Sequence, residues 1–439
     1  MASMPRLSQE GLEWYETLFG LVPRWTQDPS IAAIENVCRQ QLHIPPGDPC
    51  TVAFHASGLF NKLYIINSAT HPLIIRVSLP VHPRHKTRAE VATLQWVRAN
   101  TRVPVPKVFG FDDTNDNDIG YEWILMEFMH GTPAQKRWRT MSMEQKVALT
   151  KHVATFQAEL LGLGRSEPIF RGVGTLDLLE PTPKHKLEVP EKVDLGLLVS
   201  HEFFMGDHLR YDIPRGPFRS SYGWLNAVLQ IILIHQAAVL DKTQDEDEVE
   251  DAEQILDVAQ KLLSLLPKVF TPILDESEIT GIYHHDLHLN NILVDEEGET
   301  TAVLDWECVS ALPLWMLATV PKFLGGPVRE EEPQRDSYAD ETPEEAAAAA
   351  TKQNDPGFLE SDGKNELYYI HRMEYEATQL RKAYEARLKE LWPEWPLEGS
   401  NVKINFFQAI LQCDGIWVKK ARRWADLLCK GEIVRFEDA

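Results

Sequence analysis

The sequence predicts an α+β protein in two parts, a small antiparallel sheet near the N-terminus followed by a larger, mainly helical region. Three observations carry this. β-rich or alternating runs separated by short turns fill residues 51–130, and long segments of helical period fill most of the chain beyond residue 130. A polar turn, Asp295-Glu296-Glu297-Gly298-Glu299, has apolar runs on both sides, the pattern of a β-hairpin. With 439 residues the chain is long enough to bury a core under two lobes.

Residues 1–50 read as a helical N-terminal extension. Ile31, Ile34, Val37 and Cys38 share one face of a helix over Ser30–Leu42, which Pro45-Pro46-Gly47 ends. The sheet region, 51–130, opens with Thr51–Ile66 and Pro72–Leu79, and the first of these runs turns at Ser57-Gly58-Leu59-Phe60-Asn61. Arg76 interrupts the buried-looking run Leu73–Val77. A guanidinium in an apolar strand needs an anionic partner, because an unpaired buried charge costs several kcal/mol. A helix over Thr87–Ala99 places Glu90 beside Val91, Leu94 and Val97, so Arg76 and Glu90 are a candidate pair. Pro104 and Pro106 keep the next stretch extended. Trp123–Met129 reads as a strand that Gly131-Thr132-Pro133 stops.

The helical part, 131–439, begins with a helix over Ser142–Leu161. Residues 165–250 read as an insertion within the helical part. Gly172 and Gly174 follow no strand-to-helix context and read as a turn, and Trp224–Leu240 reads as a long helix. The run Asp245–Asp251 repels itself and reads as a mobile loop. A helix over Ala252–Leu266, with a wide apolar face, is expected to pack beneath the stretch 283–307. Leu312–Leu324 reads as the next element, broken at Pro321. Residues 329–363 are acidic and proline-containing and read as a partly disordered excursion. Asn365–Leu391 and Val402–Cys429 supply the closing helices.

The formal charge is −22, which argues against an extended nucleic-acid surface. Five cysteines form no CxxC pair, so no zinc site is indicated. The first residues match neither a secretory signal nor a mitochondrial presequence, and no apolar run approaches the length of a membrane span. A cytoplasmic protein with no membrane or nucleic-acid partner is the expectation.

The chemistry concentrates in Tyr283-His284-His285-Asp286-Leu287-His288-Leu289-Asn290-Asn291 and, beyond the turn, in Asp305-Trp306-Glu307. A fold point at Gly298 sets Asn291 directly opposite Asp305. Their β-carbons would lie roughly 5 Å apart, and an amide oxygen and a carboxylate would converge on a small hard cation. Mg²⁺ is the expected ion, since it takes oxygen ligands and is held by few protein groups together with phosphates. Asp286, five residues before Asn291, would face the metal site from the side where a hydroxyl enters.

The pattern His284-x-Asp286-x-His288-x-x-Asn291, followed by an apolar strand ending in Asp305-Trp306-Glu307, resembles the aminoglycoside phosphotransferase and choline kinase-like family. More closely, it resembles fungal members without an assigned substrate. The resemblance runs from about Phe54 to beyond Phe323 and implies a bilobal protein-kinase-like fold. It implies ATP or GTP as donor, Mg²⁺ on Asn291 and Asp305, and transfer of the γ-phosphoryl group to a hydroxyl of a small molecule. Asp286 would be the catalytic base, with His284 bracing the loop and His288 supporting Asp286 or a phosphate. The turn with Gly58 and Asn61 would cover the phosphates. Arg76 and Glu90 would take the places of the strand lysine and helix glutamate of kinases, and the backbone from Glu127 to Met129 would meet the adenine edge. Arginine in the lysine position and one glycine in the phosphate turn are departures. They keep open a catalytically silent nucleotide-binding or scaffold protein of the same fold. The histidine-rich stretch also admits a metal-dependent phosphohydrolase, although such ligands often lie on helices and a β-run comes directly after it here.

Overall fold

The computed structural model describes residues 9–17, 20–68, 72–163, 165, 167–179, 192–272, 275–351, 363–395 and 400–439. Part of the excursion expected at 329–363, residues 352–362, lies outside them. The N-terminal extension is not wholly helical as expected. Strands β1 (Leu12–Thr17) and β2 (Gly20–Trp25) form a hairpin before helix α1 (Ile31–Gln41), with Leu12 opposite Trp25. The hairpin is held from the other side: Trp25 lies edge-on to Tyr121, 4.8 Å between ring centres. Ser30 caps α1 through the Ala33 N–H.

The small lobe is a five-stranded antiparallel sheet built from β3 (Cys50–Ser57), β4 (Asn61–Ser68), β5 (Leu73–Ser78), β6 (Val108–Asp112) and β7 (Glu122–Glu127). The spatial order is β3-β4-β5-β7-β6. Helix α2 (His85–Asn100) follows β5, and its Val91, Leu94 and Val97 bury among Ile74, Ile124 and Trp306. All six residues of β5 are buried, so Arg76 does enter the core.

Strand β8 (Thr132–Pro133), short helix α3 (Ala134–Arg137) and helix α4 (Met143–Leu160) lead into the larger lobe. A reciprocal capping box starts α4, the Ser142 hydroxyl accepting from the Gln145 N–H and the Gln145 side chain accepting from the Ser142 N–H. Strands β9 (Phe170–Arg171), β10 (Leu176–Leu178) and β11 (Val193–Leu195) and helix α5 (His201–Phe204) come next. Helices α6 (Ser221–Leu240) and α7 (Glu246–Val269) then pack on each other. By length and composition α6 is apolar enough to cross a membrane, yet Leu225, Val228, Leu229 and Ile232 are buried in the same core as Leu262 and Leu266 of α7.

Two expectations about α7 need correction. It starts at Glu246, inside the acidic run expected to be a mobile loop. Asp245 caps it by accepting from the Asp247 and Glu248 N–H groups, and carboxylates in a first turn are favoured by the helix dipole. It also packs against α6 and the C-terminal helices rather than beneath the stretch 283–307. That place belongs to α4 and the long helix near the C-terminus, whose Leu149, Val153, Leu380 and Tyr384 surround Leu289 and Ile292.

Strands β12 (Ile279–Tyr283), β13 (Ile292–Val294), β14 (Thr300–Val303) and β15 (Ser310–Pro313) and short helix α8 (Leu314–Leu317) hold the functional stretch. The element expected over Leu312–Leu324 is thus divided into a strand end, a helical turn and a 3-10 turn at Lys322–Leu324. Helices α9 (Pro343–Thr351), α10 (Glu366–Leu391), α11 (Ser400–Leu411) and α12 (Val418–Cys429) complete the chain, giving a bilobal α+β fold.

Candidate active site

Tyr283 ends β12, and the chain then loops through His284–Asn291 before entering β13. The hairpin expected from the sequence is present, but its register differs by one residue. Ile292 pairs with Val303 and the Leu304 N–H donates to the Asn291 carbonyl, so Asn291 lies opposite Leu304 and not Asp305. The turn centres on Glu297 rather than Gly298, since Val294 pairs with Thr300 and the Asp295 N–H donates to the Glu299 carbonyl, which alone would shift the register by two residues; Leu293 pairs with Ala302, so the unpaired bulge residue Thr301 restores one of them. Gly298 serves the turn at φ +86°, a conformation in which other residues are strained.

Asp305 compensates by leaving the strand. It adopts φ +64°, and Cys308 adopts φ +57°, so Asp305–Cys308 makes a sharp turn. Trp306 anchors this turn, fully buried and donating from Nε1 to the Val303 carbonyl at 2.8 Å. Asp305 and Glu307, on either side of it, both meet cations of the small lobe.

The first of these is Arg76. One end of its guanidinium pairs with Glu90, as the sequence led us to expect, and Nη2 donates to Asp305 Oδ1 at 3.0 Å. The second is Lys86, which the sequence reading missed. It is 1 % exposed, and its ammonium lies 2.7 Å from Glu307 Oε2. A signal was present: Lys86 stands four residues before Glu90 on α2, hence on the same helical face. Asn61 joins this cluster instead of facing a phosphate. Its Nδ2 donates to Glu307 at 2.7 Å, and its Oδ1 accepts from Ser78 at 2.7 Å and from Lys86 at 3.1 Å.

Burial opposes the charge on Arg76, but the carboxylates of Glu90, Glu307 and Asp305 outweigh it and raise its pKa. Burial likewise pushes Glu307 up, yet Lys86 and Arg76 pull it down to about 2. Arg76 and Glu307 therefore carry their charges at neutral pH, while burial pushes the Glu90 carboxyl up against the pull of Arg76 and Lys86.

Around Asp286 three donors converge. Oδ1 accepts from Lys322 Nζ at 2.8 Å, and Oδ2 accepts from His288 Nε2 at 3.1 Å and from Asn291 Nδ2 at 3.2 Å. His288 Nδ1 accepts from the Asn290 N–H at 3.1 Å, which fixes the proton on Nε2. Burial raises the Asp286 pKa, but the hydrogen bond from Lys322 and its positive charge are among the contacts that overcome it and hold the carboxyl below its usual range. Lys322, 36 residues downstream, carried no signal in the sequence.

His284 is not in contact with the Asp286 carboxylate. It is buried edge-on to Trp306 at 4.8 Å, and its Nε2 donates to the Leu304 carbonyl at 2.9 Å. Burial lowers its pKa to about 4, so the ring is neutral and ties the catalytic stretch to the start of the Asp305 turn.

The remaining expected contacts are more diffuse. The Gly58 N–H donates to the Asn61 carbonyl at 2.9 Å and closes the β3–β4 turn. Phe60, beside it, is buried against His201 and Phe204. At the end of β7 the Glu127 N–H donates to the Lys107 carbonyl and its carboxylate accepts from the Lys107 N–H, which ties Glu127 to the residue before β6.

The donor set fits Mg²⁺. Asn291 turns its NH₂ to Asp286, which directs its Oδ1 away, and Asp305 uses Oδ1 for Arg76, which leaves Oδ2. Two hard oxygens on adjoining turns suit a cation that also takes phosphate oxygens.

Residues 51–316 match the model of the phosphotransferase enzyme family. Among curated proteins, a subtelomeric hrmA-associated cluster protein of Aspergillus fumigatus is 25 % identical over 312 residues, covering 62 % of this chain and 60 % of that protein. The altered inheritance of mitochondria protein 9 of Yarrowia lipolytica is 26 % identical over 266 residues, covering 54 % of this chain and 44 % of its own. The chain thus spans about 60 % or less of the length of these relatives. Among solved structures, aminoglycoside phosphotransferase APH(4)-Ia superposes with a TM-score of 0.42 at 13 % identity, over 92 % of this chain and 98 % of that one. The streptomycin–ATP–APH(2″)-IIa complex gives 0.40 at 13 % identity, over 94 % and 99 %. With more than half of its length matched by the family model, this chain belongs to the phosphotransferase enzyme family.

Proposed function

We propose that the protein transfers the γ-phosphoryl group of ATP to a hydroxyl of a small molecule. The observation that carries this reading is the convergence of His288, Asn291 and Lys322 on the Asp286 carboxylate, one residue of the same loop being the candidate metal ligand Asn291. Asp286 orients the acceptor hydroxyl and receives its proton. Its lowered pKa makes it a weak base, which suits a reaction whose transition state is loose and in which positioning dominates. Asn291 and Asp305 hold Mg²⁺, which when bound neutralises charge on the phosphates. Arg76, fixed by Glu90, directs positive charge at the same place.

A second reading, nucleotide binding without transfer, is favoured by two contacts. Both ends of Arg76 are engaged by carboxylates, and the Gly58 amide is engaged within its own turn. Transfer of label from γ-labelled ATP into a hydroxyl-bearing metabolite pool separates the two. Under the proposal Asp286→Asn lowers turnover by about 10²- to 10⁴-fold, the range for removal of a general base, and keeps nucleotide affinity. Bound nucleotide with no label transfer by the wild type would establish the second reading.

A further inference from the structure

The chain carries a formal charge of −22, yet one stretch runs against it. Between Ile416 and Lys430 stand five cations, Lys419, Lys420, Arg422, Arg423 and Lys430, and one carboxylate, Asp426. Helix α12 makes up most of this stretch, and its two faces differ. Inward, Val418, Ala421, Trp424 and Ala425 are buried in the core shared with α7 and α11, and Trp424 Nε1 donates to the Val434 carbonyl at 3.0 Å. Outward, residues three or four apart form one stripe: Ile416, Lys419, Lys420, Arg423, Leu427 and Lys430.

Two ionic pairs hold the helix to α7 and leave the stripe open. Arg422 lies 3.0 Å from Asp257, and Asp426 lies 2.6 Å from Lys261, so the one carboxylate of the stretch is already engaged. Lys420 donates to the Glu437 carbonyl at 2.7 Å, a backbone acceptor. Lys419, Arg423 and Lys430 have no ion-pair partner among the described residues. Asp414 and Glu432, both exposed, stand beyond the two ends of the stripe. Apolar side chains mark those ends as well: Ile416 is 90 % exposed, Trp417 is exposed beside it, and Ile433 is 71 % exposed. Lys420 Nζ lies 5.9 Å from the centre of the Trp417 ring, which joins the apolar and cationic parts of the face.

We infer that this face rests on an anionic phospholipid bilayer. Lys419, Lys420, Arg423 and Lys430 meet the lipid headgroups, and Ile416, Trp417 and Ile433 enter the boundary between headgroups and acyl chains. Shape favours a bilayer over an acidic protein partner. The stripe follows the outer side of a single helix, and its apolar residues stand out into solvent, where a flat, soft surface can take them up. Tryptophan with a lysine over its ring suits the membrane interface, having one apolar and one wet side. The remainder of the chain is more acidic still, so the same surface repels it and turns α12 towards the lipid. The expectation of no membrane partner came from the lack of an apolar span, which a face lying on a surface does not need. The docking does not depend on the phosphotransfer reading.

The test is sedimentation of the full chain with vesicles of phosphatidylcholine alone and of an equal mixture of phosphatidylcholine and phosphatidylserine. Binding is expected to the mixed vesicles only, and to weaken as salt is raised. Each cation near an anionic surface contributes about fivefold in partition, so Lys419→Gln combined with Arg423→Gln lowers it by about 25-fold. Ile416→Ser, with every cation in place, lowers it by about tenfold. All three side chains are exposed, and an unchanged thermal unfolding midpoint checks the fold of each variant. No binding of the folded wild type to mixed vesicles at low salt, or binding that both variants leave unchanged, would overturn the proposal. Equally tight binding to polyglutamate, unaffected by Ile416→Ser, would assign the stripe to an acidic protein partner and overturn it as well.

Discussion

Asp286 and Lys322 show how far one side chain sets the chemistry of another. Lys322 is mostly exposed and sits on a 3-10 turn, yet its hydrogen bond is among the contacts that keep the Asp286 carboxyl ionised. Removing it with Lys322→Met raises the Asp286 pKa, so the acid limb of kcat/KM against pH moves upward; an unmoved limb would separate Lys322 from the base. Glu307 makes a parallel case for stability. Its pKa is about 2 in the folded protein against an ordinary 4.5. A depressed carboxylate contributes stability that is present above pH 4.5 and is lost as pH falls toward 2. Denaturant unfolding of Glu307→Gln is expected to show a shallower loss over that window than wild type. Lys86→Met leaves Glu307 without its main partner and is expected to reduce stability by about 3–5 kcal/mol, read from the midpoint of urea unfolding.

Elements meet through main-chain approaches that side chains would block. Gly131, at φ +141°, passes the β13–β14 hairpin so closely that a β-carbon there would lie 2.9 Å from Leu293 Cβ and 3.2 Å from the Val294 carbonyl. Gly131→Ala is therefore expected to displace β13, lowering both turnover and the thermal midpoint; a variant with wild-type kcat would show that the hairpin tolerates movement. The junction of β7 and α2 has its own titrating group. Glu122 is buried, and this burial lifts its pKa to about 8, although the Arg84 N–H donates to its carboxylate. A raised carboxyl binds its proton more tightly in the folded state, so stability falls as pH rises from about 4.5 to 8. Glu122→Gln is expected to flatten that fall in denaturant unfolding measured across this range.

On the scale of the whole molecule, ionic contacts join the lobes, among them Arg76 with Asp305, Lys86 with Glu307 and Arg88 with Asp177. Periodicity exposed the elements that make them. The α4 helix was legible from its apolar stripe, α10 from its long period, and the β13–β14 hairpin from its polar turn. The pairing of Arg76 with Glu90 followed from the cost of burying an arginine. The features that stayed hidden depended on geometry that local pattern does not encode. The turn centred on Glu297 and the bulge at Thr301 together set Asn291 opposite Leu304, and Asp305 leaves the strand line at φ +64°. Asn61 turned inward to Lys86, and Lys322 came from a distant turn.

The assignment of the Asp305 turn to nucleotide and metal is tested most directly by the thermal unfolding midpoint with and without ATP, with and without Mg²⁺, in wild type, Asp286→Asn and Asp305→Asn. Saturating ligand at about 100 times its dissociation constant stabilises by about 2.7 kcal/mol. A Mg²⁺-dependent rise in wild type and Asp286→Asn, lost in Asp305→Asn, is the expected result. A rise indifferent to Mg²⁺ and to Asp305, or no rise in the wild type, would contradict that assignment.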